Sequence, residues 1–100
     1  MKEKILQLIY EAIDVLNTQL PKEKYIEKHD GTALFGSGSK LDSLGLINLI
    51  VAVEQNIEDE FDITITLADE RAMSQKHSPF RTVESLVEYI EMLLDGKLND

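Results

Sequence analysis

Leu41-Asp42-Ser43-Leu44-Gly45-Leu46-Ile47-Asn48-Leu49-Ile50-Val51-Ala52-Val53 sets two residue types that cap helices, Asp42 and Ser43, ahead of apolar residues at helical spacing. Upstream, Leu34-Phe35-Gly36-Ser37-Gly38-Ser39 is rich in the glycines and serines that favour turns. Ser43 is therefore expected at or beside the N-terminus of a helix running from Ser43 or Leu44 to about Glu60. Backbone N–H groups there lack intrahelical partners and the helix dipole presents its positive end, so a phosphate ester on Ser43 would be favoured, by about 0.3–1 kcal/mol at an exposed site. Two roles fit these residues: Asp42 or Ser43 as a plain N-cap, or Ser43 as a site of covalent attachment.

Along this helix Leu46, Leu49, Ile50, Val53 and Ile57 share one stripe, expected to face the core. Leu44, Ile47 and Val51 make a second stripe on another part of the helix, near Ser43, with Glu54 and Glu58 beside it. Such a stripe serves either an enlarged core or partner docking. Gly45, in the first turn, costs roughly 1 kcal/mol relative to Ala. Space for a docked group or tolerance near a helix end would each account for it.

Ahead of this region, Ile5, Leu6, Leu8, Ile9, Ala12, Ile13 and Leu16 predict an amphipathic helix from about Lys2 to Gln19, which Pro21 ends or closely follows. Residues 21 to 40 lose the periodicity and read as a long connection with a short turn around Glu23 to Glu27. After the central helix, Phe61-Asp62-Ile63-Thr64-Ile65 reads as an extended connector burying Phe61, Ile63 and Ile65. Thr66-Leu67-Ala68-Asp69 fits a loose capping box and predicts a short helix through about Met73, with Ser78-Pro79 closing the region. Thr82 is expected to cap a last helix burying Val83, Leu86, Val87, Ile90, Leu93 and Leu94, with Gly96 as its stop. The order predicts an all-α fold: a small four-helix bundle with a long loop between helices 1 and 2 and a short third helix. Its 100 residues suit one domain, with a core from about residue 3 to 94 and a frayed C-terminal tail.

Ten basic residues against nineteen acidic ones leave a formal charge of −9, which disfavours nucleic acid and anionic membrane surfaces and favours partners with basic patches. Without Cys the chain has no disulfide, thiolate metal site or cysteine nucleophile, so thiol chemistry must come from a cofactor. No signal-peptide core or membrane span is evident at the N-terminus, and a cytoplasmic location is expected by default. Gly36-Ser37-Gly38-Ser39-Lys40 lacks the spacing of a phosphate-binding loop. His29 and His77 fall in loops, with no nucleophile-elbow pattern around Ser43 to make a catalytic triad. The acids Glu58-Asp59-Glu60 lack calcium-loop spacing, and no protein-bound metal is expected.

Three segments, in order, resemble the acyl and peptidyl carrier proteins: Leu41-Asp42-Ser43-Leu44-Gly45-Leu46-Ile47-Asn48-Leu49-Ile50, then Glu60-Phe61-Asp62-Ile63, then Thr82-Val83-Glu84-Ser85-Leu86. The likeness runs from about Leu34 to Leu94. It implies that Ser43 carries 4′-phosphopantetheine, joined from coenzyme A by a phosphopantetheinyl transferase with Mg²⁺, and that Asp42 takes part in transferase recognition or only caps the helix. The terminal thiol would then hold an acyl or aminoacyl group as a thioester and present it to acyl-loading and acyl-processing enzymes, with Leu44, Ile47, Val51, Glu54 and Glu58 as partner contacts. The chain would be a monomer and not an enzyme. Tethering makes the substrate effectively intramolecular with each docked enzyme.

Departures from the fatty-acid carrier pattern are as informative. Leu46, Ile47 and Asn48 stand where such carriers place acids, the interval from Ser43 to Phe61 is about a helical turn longer, and the segment from Leu67 to Arg81 is enlarged and carries Arg71, Lys76, His77 and Arg81. They favour a carrier in a specialised polyketide, lipid or nonribosomal pathway. The alternative is a cofactor-free interaction module in which Leu44, Ile47 and Val51 bind a partner helix directly.

Overall fold

The computed structural model describes residues 2–34, 40–67 and 80–98, apart from the side chains of residues 43, 97 and 98. Three α-helices form among the described residues: α1, Lys2–Asn17; α2, Ser43–Phe61; and α3, Val83–Leu98. The fold there is all-α, with no strand and a single isolated antiparallel bridge between Ala33 and Thr82. The short helix expected through Met73, and the close at Ser78-Pro79, fall on residues 68–79, outside those described; Thr66 and Leu67 are not helical.

Helix α1 lies against both α2 and α3. It buries Ile5, Leu8, Ile9, Ala12, Ile13 and Leu16, while Leu6 is only half-buried. The α1 and α2 axes run antiparallel, since Lys4 pairs with Glu60 at 2.9 Å and Asn56 Nδ2 donates to the Leu8 carbonyl at 3.1 Å. From α2 the stripe Leu46, Leu49, Ile50, Val53 and Ile57 is buried as its spacing predicts. From α3 come Val83, Leu86, Val87, Ile90 and Leu94, with Leu93 half-buried.

The segment after α1 is more ordered than its composition suggests. A 3₁₀ turn spans Lys22–Lys24, overlapping the start of the turn expected around Glu23 to Glu27. Asn17 then clamps the chain: its Oδ1 accepts from Ile26 N–H at 2.9 Å and its Nδ2 donates to the Ile26 carbonyl at 3.0 Å. That satisfies both backbone groups of a residue whose side chain is buried. Further on, the carbonyls of Asp30 and Thr32 accept from Glu84 and Val83 N–H at 2.8 and 3.0 Å, so this loop supplies acceptors for the first turn of α3. Thr82 completes the cap. Its Oγ1 accepts from Ser85 N–H at 3.1 Å and the Ser85 hydroxyl accepts from Thr82 N–H at 3.0 Å, a reciprocal box with Ser where Glu is usual.

Two helix ends differ from expectation or carry strain. Helix α3 does not stop at Gly96 but continues to Leu98. A Cβ at Gly96 would meet no atom within 4 Å, so neither a left-handed turn nor a close approach requires glycine there. Gly96→Ala is expected to raise stability by up to ~1 kcal/mol, read as a higher midpoint in thermal unfolding. At the end of α2, Asp62 adopts a left-handed conformation, φ 54° and ψ 37°, while its N–H donates to the Glu58 carbonyl at 2.9 Å. It also adds negative charge at the negative end of the dipole. Asp62→Gly relieves both effects and is expected to stabilise by about 1 kcal/mol in urea unfolding.

Candidate functional site

Asp42, not Ser43, is the N-cap of α2. Its backbone is extended, its Oδ1 accepts from Gly45 N–H at 2.7 Å, and its carbonyl accepts the first helical bond, from Leu46 N–H, at 3.0 Å. Ser43 is the first helical residue; its side chain lies outside what the structure describes. The first turn of α2 carries no acidic residue, and Leu44 N–H has no hydrogen-bond partner among the described residues. An unpartnered donor at the positive end of a long helix suits the phosphodiester of a 4′-phosphopantetheinyl serine. The Asp42 carboxylate, engaged with Gly45, contributes nothing attractive to such a phosphate.

Gly45 has a cause within the fold. A Cβ there would lie 3.1 Å from Asp42 Oδ1 and 3.2 Å from Leu41 Cδ2, so the glycine lets the capping carboxylate and the half-buried Leu41 close over the helix start. The roughly 1 kcal/mol that alanine gains in helix propensity is opposed by this crowding.

The second stripe on α2 faces solvent rather than enlarging the core. Leu44, Ile47 and Val51 are 67%, 39% and 46% exposed, an apolar strip beginning one residue after Ser43. Glu54 and Glu58 continue the strip along the helix, but both carboxylates are engaged within the chain. Glu54 Oε1 accepts from the N–H of fully buried Leu67, and Glu58 Oε1 accepts from Thr64 Oγ1 at 3.4 Å. These acids hold the extended connector after α2, in which Ile65 is buried and Ile63 half-buried; Phe61, also half-buried, belongs to the helix.

Of the two candidate histidines, only His29 lies among the described residues. His29 is exposed; its Nδ1 accepts from Gly31 N–H at 2.9 Å and lies 3.3 Å from Asp30 Oδ1. His77, Arg71, Lys76 and residues 36–39 of the glycine-serine loop lie outside the described residues. Among the described residues no group of three His, Asp or Glu side chains is arranged to hold a metal ion, and no helix is long and apolar enough to cross a membrane. No protein-family model, curated protein or solved structure matches the chain.

Proposed function

We propose that the chain is an acyl or aminoacyl carrier protein bearing 4′-phosphopantetheine on Ser43. One observation carries this: Asp42 caps α2, which leaves Ser43 in the first turn of a 19-residue helix, at the head of an exposed apolar strip. When bound, the group supplies a thiol that holds the acyl chain as a thioester. The residues of this chain then have separate tasks. Asp42 fixes where the helix begins and so where Ser43 stands. Leu44, Ile47 and Val51 offer the apolar surface on which the transferase and the loading and processing enzymes dock, while Glu54 and Glu58 brace the connector and tune the charge around it. A monomer acting in the cytoplasm of a specialised biosynthetic pathway fits this role.

The strip alone would also serve a cofactor-free interaction module, because its exposure does not depend on modification of Ser43. Intact-protein mass after incubation with coenzyme A, Mg²⁺ and a broad-specificity phosphopantetheinyl transferase separates the two. One phosphopantetheinyl increment is expected; no increment with several transferases would favour the module.

A further inference from the structure

Beside the path of the chain into α2 lies a depression lined by Tyr25, Ile26, Glu27, Thr32, Ala33 and Lys40. Its walls are two stretches of the α1–α2 loop, tied together by Thr32 Oγ1 donating to the Glu27 carbonyl at 3.0 Å. The bridge between Ala33 and Thr82 is formed by Leu34 N–H donating to the Arg81 carbonyl and Val83 N–H to the Thr32 carbonyl. In that antiparallel pattern the bridged residues' own N–H and C=O point away from each other. Ala33 therefore turns its backbone groups away from residue 82, and among the described residues neither has a hydrogen-bond partner. Ala33, Tyr25, which is 42% exposed, and the exposed Lys40 line one concave surface.

We infer that this depression seats the 4′-phosphopantetheine arm in its resting position, an inference that rests on the carrier reading of Ser43. The chemistry matches part by part. The arm has secondary amides to pair with an open backbone edge, a geminal dimethyl group to pack on an aromatic ring, and a phosphodiester to attract an ammonium. Reach is sufficient. Lys40 is three residues from Ser43, at most ~11 Å along the chain, while the arm has the length of about five extended residues, ~16 Å. Seating holds the thiol close to the protein between visits to partner enzymes, and the docking strip on α2 stays uncovered.

The test compares apo and holo protein by mass and by ¹H–¹⁵N spectra with amide hydrogen exchange. In the holo form the Ala33 amide is expected to shift and to exchange about two- to tenfold more slowly, the range given by one net hydrogen bond. Tyr25→Ala, at an exposed ring, is expected to accept the same mass increment and to lose that protection. A holo protein whose Ala33 amide neither shifts nor gains protection overturns the seat and leaves the carrier reading standing. Absence of the mass increment overturns both.

Discussion

Ser43→Ala is expected to emerge from transferase treatment with its mass unchanged while the wild-type chain gains one phosphopantetheinyl group, and to unfold within about 0.5 kcal/mol of wild type. The second half of this expectation comes from the cap. Had Ser43 capped α2, its removal would cost about 1 kcal/mol, and loss of loading would be entangled with damage to the helix. Asp42 holds the Gly45 N–H instead, and alanine is an excellent first helical residue. The capping penalty belongs to Asp42→Ala, at about 1 kcal/mol, whereas Asp42→Asn preserves the acceptor and removes the charge. Loading rates for Asp42→Asn at unchanged stability would show whether a transferase reads that charge. A Ser43→Ala chain that still gained the group would place the attachment elsewhere.

Phe80→Ala is expected to lower stability by about 3–5 kcal/mol, measured by urea unfolding. For a domain whose total stability is typically about 5–15 kcal/mol, that is enough to leave a large unfolded fraction under mild denaturant. The ring is fully buried just before the cap of α3, and it meets the Tyr89 ring edge to face with centroids 6.2 Å apart. Phe80→Leu keeps an apolar side chain in that space and is expected to recover more than half of the loss. A loss below about 1 kcal/mol for the alanine variant would mean that the ring does not close the core.

Periodic segments declared themselves in the sequence, because a helix that buries one face must repeat its apolar residues near every 3.6 positions. The α2 core stripe and the α1 face are of this kind. Ile26, Leu34, Leu67 and Phe80 are as deeply buried, yet none lies on a helical repeat: Leu34 sits beside Ala33 and Phe35, and Leu67 only extends the short alternation of Ile63 and Ile65. The acceptors that Asp30 and Thr32 lend to α3 are backbone carbonyls, which any residue would supply, so no side chain announces them. Glu54 reads from the sequence as a charge beside the apolar strip and a partner contact; its bond to Leu67 depends on where the connector returns. At the candidate site Ser43 and the apolar strip could be read directly, but the choice of Asp42 as cap turned on one hydrogen bond. The cause of Gly45 turned on how near Leu41 comes.

The cap on α3 also bears on how the chain can be cut or assembled. Its first turn is completed from the loop before α2, so the C-terminal helix and the middle of the chain depend on one another although distant in sequence. A peptide comprising Thr82 and α3 alone would retain the Thr82–Ser85 box yet leave the Val83 and Glu84 amides to water, and should fray from that end. Closure of this contact spans the whole of α2, which makes it a late, non-local event in folding and binds loop, central helix and final helix into one cooperative unit.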